Sequence, residues 1–270
     1  MSFYTSLSGL RAAQTDLSVT SNNIANVGSI AFKKSRASFG DIMPPSSAQA
    51  GIGTRLKGIE QQFTQGNFET SSRELDLAIN GSGFFVTRSG DGSTGDTLFT
   101  RDGALQISSD RYLTDSRGNN LQLFPVDADG VATSTDLASA TRVQIPLTSA
   151  GGARLSDVSI NAEGLLTASF ADGSLQSLGR VAIANFPNPE GLRQMGDGRW
   201  ASTGESGAAL TGVPGSEGLG TVQSGALERA NVDLTEELVA LIAAQRNFQA
   251  NAKAIETANS LTQTITNLRS

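Results

Sequence analysis

The sequence predicts an α+β chain, with N- and C-terminal helices forming a coiled-coil layer and a mainly antiparallel β domain inserted between them. Three observations carry this. Apolar residues recur near seven-residue spacing at both ends of the 270-residue chain. The middle lacks any long helical pattern. Short apolar runs there are punctuated by Asp-Gly and Asn-Gly pairs, which tolerate positive φ and suit hairpins.

At the amino end, Phe3, Leu10, Leu17 and Ile24 are seven apart, and Leu7, Ala13 and Val27 widen the stripe. Ser2 can cap this helix, while Gly28 and Ser29 stop it. Residues 1–30 are assigned to it, at a length of roughly 40 Å. Residues 31–74 read as an extended connector. Pro44, Pro45 and a Ser/Ala/Gly stretch forbid a continuous helix, and short strands are expected around Arg55 to Phe63. Its basic patch of Lys33, Lys34 and Arg36 lacks interleaved aromatics, so it reads as solvated surface or subunit contact rather than a nucleic-acid site.

Residues 75–225 form the predicted β domain. Its runs are Leu75–Ile79, Phe84–Val86, Leu98–Phe99, Ala104–Ile107, Leu121–Val126, Val158–Ile160, Leu165–Phe170 and Val181–Phe186. Turns are expected at Asp91-Gly92, Asp102-Gly103, Asp129-Gly130, Asp172-Gly173 and Asp197-Gly198, at Asn80-Gly81, and from Asn161 to Gly164. Residues 226–270 carry the second helix. Leu234, Leu238, Leu241, Phe248, Ile255, Leu261, Ile265 and Leu268 mark its stripe, with two successive three-residue steps after Ile255 that overwind a coiled coil locally. Asp233 is the expected cap, with Glu236 closing a capping box and Arg269 complementing the far dipole end. A helix of about 35 residues, or about 50 Å, follows.

Composition excludes whole classes of chemistry. The chain has no Cys and no His, so disulfides, thiolate nucleophiles, imidazole bases and the usual zinc sites are ruled out. Its formal net charge of −6 argues against nucleic acid as a partner. No apolar run of transmembrane length occurs, and the first ten residues lack the pattern of a cleaved signal.

Candidate chemistry is sparse. Gly81-x-Gly83-Phe84-Phe85 precedes a strand rather than a helix, so it reads as a tight strand entry, not a phosphate loop. Asp91, Asp96 and Asp102 lack the spacing of a calcium loop and read as turn residues. No spacing specifies a carboxylate pair for glycoside hydrolysis. Trp200 reads as a packing or interface aromatic. No cofactor and no metal is expected. The narrow stripes at the two ends need a partner, and the economical one is each other, with further faces left for other copies.

Several motifs then resemble the bacterial flagellar axial, or rod and hook, protein family. They are SFYTSLSGLRAAQTDLSVTSNNIANV with Asn22, Asn23 and Asn26; Phe32-Lys33; Asp76-x-Ala78-Ile79-x-Gly81-x-Gly83-Phe84-Phe85; and Thr100-Arg101-Asp102-Gly103. Near the other end stand Gly225-Ala226-Leu227-Glu228, Asn231-Val232-Asp233-Leu234, and the run from Glu236 to Phe248. Ala31 stands where the family usually has Gly. Met1-Ser2-Phe3 and Val181–Phe186 are most similar to the hook branch. Hook members are commonly longer, with an extra outer β domain, and rod members have about this length.

The resemblance implies a structural subunit, not an enzyme, whose terminal helices form the inner layer of an open helical tube and whose β domain forms the outer layer. For a hook subunit it implies a flexible coupling that transmits motor torque; for a distal or proximal rod subunit, a drive shaft. The implied partners are further copies, adjacent rod, hook-cap or junction proteins, and the type III export apparatus. The implied location is the basal body and hook, outside the cell after export. The competing class is a secreted carbohydrate-active or binding β module.

Overall fold

The computed structural model of the chain describes residues 2–42, 51–90, 95–216 and 218–267. It divides into two compact units. One comprises Met1–Gly28, Lys33–Gln62 and Val232–Ser270; the other comprises Ser29–Phe32 and Phe63–Asn231. The α+β class is as expected, with a helix toward each end and antiparallel strands between them.

In the first unit, α1 spans Ser2–Ala25 and α2 spans Leu234–Asn267. The side chain of Ser2, the expected cap, lies outside the described residues, as do Arg269 and Leu268. The two helices pack on each other in antiparallel order: Asn23 meets Glu237, and Gly9 meets Asn251. A Cβ on Gly9 would lie 2.6 Å from Asn251 Oδ1, so a larger residue there would require the Asn251 side chain to move.

Beside α1 lies an antiparallel hairpin of β1 (Ser35–Asp41) and β2 (Thr54–Gln61), with a bulge at Ser38/Phe39. The hairpin closes through Ile42 N–H to Gly53 O and Ile52 N–H to Ile42 O, both at 2.9 Å. Gly53, at φ +134°, sits so near Ser8 that any Cβ would collide with its hydroxyl, which accepts Thr54 N–H at 3.2 Å. The first strand of this hairpin is not marked in the sequence, because Ser35–Asp41 has neither alternation nor a run of β-branched residues. Pro44 and Pro45 lie outside the described residues.

The second unit is built from antiparallel ladders: a nine-stranded sheet, a four-stranded sheet and two short pairs. Its central strands are buried on both faces, and the two-residue period sorts their side chains into two cores. Phe85, Leu123 and Ile183 enter a core with Leu77, Ile79, Leu166 and Val181. Their neighbours Phe84, Val86, Phe124, Ala182 and Ala184 enter the other, with Phe99, Phe186 and Trp200. Burial on both faces explains why these strands read as continuous apolar runs. Strand Leu165–Phe170, by contrast, alternates, with Leu166, Ala168 and Phe170 buried.

Turn chemistry follows the sequence in most places. Asp197 and Gly198 both have positive φ, at +53° and +66°, as a two-residue hairpin turn requires. Gly164 and Gly173 have φ +73° and +79° at the ends flanking Leu165–Phe170. Asp102-Gly103 differs from the expected hairpin turn. Gly103 is there for close approach: Leu77 N–H donates to Gly103 O at 2.9 Å, and a Cβ on Gly103 would strike Leu77 O. Asp91-Gly92 lies outside the described residues.

Candidate functional site

In the first unit, the Asn23 side chain joins three elements. Its Nδ2 donates to Ser35 O at 2.9 Å and to Glu237 Oε2 at 3.2 Å, and its Oδ1 accepts Ser35 N–H at 2.9 Å. Both Asn23 and Glu237 are buried. An amide suits this place because it donates and accepts at once, satisfying both backbone groups of one residue. Lys34 Nζ completes the cluster at 3.4 Å from Glu236 and 3.9 Å from Glu237. Glu236, expected to return a bond to the helix cap, therefore faces a cation. Asp233 does cap α2: its Oδ1 accepts Thr235 N–H at 2.8 Å and Glu236 N–H at 3.1 Å. Those backbone bonds hold its carboxyl below the ordinary carboxylate range.

The helical stripe residues remain partly wet. Leu7, Leu10, Leu17, Ile24, Leu241 and Ile255 are half-buried. Phe3, Leu234, Leu238, Phe248 and Leu261 are exposed, Leu261 at 60%. The side chain of Ile265 lies outside the described residues. Asn22 is exposed, and its carbonyl accepts Asn26 Nδ2 at 3.0 Å in the last turn of α1. The basic patch is not uniformly solvated: Lys33 is buried, Lys34 is paired, and Arg36 is exposed.

In the second unit, the motif residues organise the backbone. Ala31 has φ +56° and is fully buried, donating its N–H to Glu228 O at 2.8 Å. A left-handed conformation here is the reason a glycine would be favoured. Phe32, half-buried, accepts Asn231 N–H at 3.3 Å, and Asn231 Nδ2 donates to Thr64 Oγ1 at 2.8 Å. Gly81 and Gly83 have φ +109° and +133° at the entry to Phe84–Arg88, and a Cβ on Gly83 would meet Ile183 Cγ2 at 2.5 Å.

Arg101 and Glu228, drawn from two separate motifs, meet in a buried ion pair at 3.1 Å. Arg101 also donates to Gly81 O at 2.7 Å and Ile79 O at 3.3 Å, while Glu228 Oε1 accepts Gly66 N–H at 2.8 Å. Burial lowers the Arg101 pKa, and Glu228 partly restores it. Asp102 is pushed the other way for a carboxylate: burial raises its pKa, against bonds from Ala104 N–H and Ser116 Oγ. Sequence spacing could not pair Arg101 with Glu228, because 127 positions separate them.

Buried ion pairs, capping carboxylates and backbone-satisfying amides hold structure. Among the described residues there is no cluster of three or more metal-ligating side chains. No described helix is long and apolar enough to cross a membrane. The helices of the first unit keep exposed apolar surface, Leu234, Leu238, Val239 and Ile242 among it.

Comparison with known proteins gives the family. Residues 3–27 match "Flagella basal body rod protein", residues 78–168 match "Flagellar hook protein FlgE/F/G D1 domain", and residues 223–268 match "Flagellar basal body rod FlgEFG protein C-terminal". A flagellar basal-body rod protein FlgG from Bacillus subtilis is 32% identical, with 99% of this chain and 98% of that protein covered. The FlgG of Borreliella burgdorferi is 30% identical, covering 98% and 97%. The flagellar hook protein FlgE of Salmonella typhimurium is 28% identical, covering 100% of both. The chain belongs to the flagellar rod and hook protein family, structural proteins of the bacterial flagellum and not enzymes. That family sets aside the carbohydrate-active reading.

Proposed function

We propose that the chain polymerises into the tubular flagellar hook, a flexible coupling that carries motor torque to the filament. The observation that carries polymerisation is the set of exposed apolar side chains on the terminal helices, Phe3, Leu234, Leu238, Phe248 and Leu261. Exposed apolar surface of this kind marks an interaction site, and neighbouring copies would shelter it. In this reading residues 1–30 and 226–270 form an inner coiled-coil layer, 31–74 a connector, and 75–225 the outer β domain. Heterologous contacts between copies then generate an open helical array. Adjacent rod, hook-cap or junction proteins would cap its ends, after export through the type III apparatus.

The hook reading is supported by the opening Met1-Ser2-Phe3 and by Val181–Phe186. One observation favours a rod subunit instead. Alignment with the Bacillus subtilis rod relative spans 284 positions, near this chain's 270, whereas the Salmonella typhimurium hook alignment spans 408.

Electron microscopy of the purified chain tests polymerisation: open tubes are expected, and their loss when Leu241, Phe248 and Ile255 are made polar. A dispersed monomer under all assembly conditions would refute it. Immunogold labelling of isolated flagella separates the readings, with label outside the envelope for a hook and within it for a rod.

A further inference from the structure

Within the first unit, α1 and the β1–β2 hairpin enclose an open groove of 480 Å³. Leu7, Ala12, Ile52 and Leu56 give it an apolar lining, and Arg11 and Arg55 add two cations. Among the described residues no acid lines it, and both arginines are exposed. A purely apolar occupant would leave those two charges uncompensated as water is excluded, so the groove calls for an apolar surface that carries carboxylates.

The same unit offers one. The cap and first turn of α2 hold Asp233, Glu236 and Glu237, and no cation follows before Arg246. Leu238, Val239 and Ile242 stand on that stretch at 44%, 64% and 50% exposure. Leu238 and Ile242 are four apart and share a face, with Val239 alongside. Glu236 keeps 69% of its side chain exposed despite its contact with Lys34.

We propose that this groove receives the amino-terminal turns of α2 from a second copy of the chain, with Leu238, Val239 and Ile242 on its apolar lining and Glu236 facing Arg11 or Arg55. Groove and helix face are different patches of one unit, so the contact is head-to-tail. Repetition builds a ring or an open helix rather than a closed two-fold dimer. The inference rests on the polymer reading above and names its contact surfaces.

The absence of native cysteine makes a cross-linking test clean. Full-length Leu56→Cys and Val239→Cys variants are mixed, assembled, oxidised and run on a non-reducing gel, with mass spectrometry of the linked peptides. A disulfide joining the two variants, formed in assembled material and absent from dispersed chain, is expected. In parallel, Arg55→Glu should raise the concentration needed for assembly roughly tenfold or more, and Arg55→Glu with Glu236→Arg should restore it. Circular dichroism checks that each variant folds. Should tubes form normally with no such disulfide, and Arg55→Glu leave assembly unchanged, the groove assignment is overturned while the polymer reading stands. If the unmodified chain never assembles, both fail.

Discussion

Replacing Arg101 by Met should be among the most damaging single changes to the β-rich unit. Glu228 is fully buried and would keep Gly66 N–H at 2.8 Å while losing its cation at 3.1 Å. Gly81 O and Ile79 O would lose their guanidinium donors as well. Removing one partner of a buried ion pair costs about 3–5 kcal/mol, mostly because the surviving charge stays desolvated. Arg101→Lys keeps the charge but not the planar fork that reaches three oxygens, so an intermediate loss is expected. Glu228→Gln retains an acceptor for Gly66 but strands the buried guanidinium, so a loss of the same order as for Arg101→Met is expected. The assay is urea unfolding followed by the fluorescence of Trp200, the chain's only tryptophan. It is buried with its ring 5.3 Å from Phe63 and 5.5 Å from Phe84, and so reports on this unit. A loss below about 1 kcal/mol for Arg101→Met, with an unchanged urea slope, would refute the claim that the pair organises the unit.

Asn23→Ala should weaken the first unit by about 2–3 kcal/mol, since Ser35 loses both backbone partners and Glu237 a donor; hydrogen exchange at Ser35 should accelerate. Ala31→Gly should leave the second unit within about 1 kcal/mol of the wild type, the relief of a left-handed residue (about 1–2 kcal/mol) being offset by the added chain entropy of glycine (about 0.5–1 kcal/mol) and the lost buried methyl (about 0.8 kcal/mol), as urea unfolding would register. Ala31→Val should destabilise it in the same assay. Asp233 has a carboxyl pKa depressed in the folded chain, so its contribution is complete above the unfolded value near 3.8 and is lost as pH falls through the folded one. Helical circular dichroism should therefore drop on acidification more in the wild type than in Asp233→Asn, whose cap does not titrate.

Much of the fold was legible because its signals are local. Helix stripes, the Asp233 cap and the Asp197-Gly198 turn depend on residues a few positions apart, and the structure has α1, α2 and the hairpin where those signals lie. Short-range chemistry also identified Gly81 and Gly83 as a strand entry. The β1 strand was missed because Ser35–Asp41 is specified by its pairing with Thr54–Gln61 rather than by its own side chains. Asp102-Gly103 was misread because an Asp-Gly pair looks the same whether glycine serves a positive φ or the near approach of Leu77.

The sequence by itself determined the absence of imidazole and thiol chemistry, the helical ends, the antiparallel middle and the family motifs. Only the tertiary structure decided that Lys33 is buried, that Arg101 finds Glu228, that Asn23 binds Ser35 and Glu237, and that Arg11 and Arg55 flank one groove. The physical reason is range. Periodicity and turn preference arise from a residue and its near neighbours. Desolvation and charge pairing depend on what folding brings from far along the chain, and no spacing in the sequence records that distance.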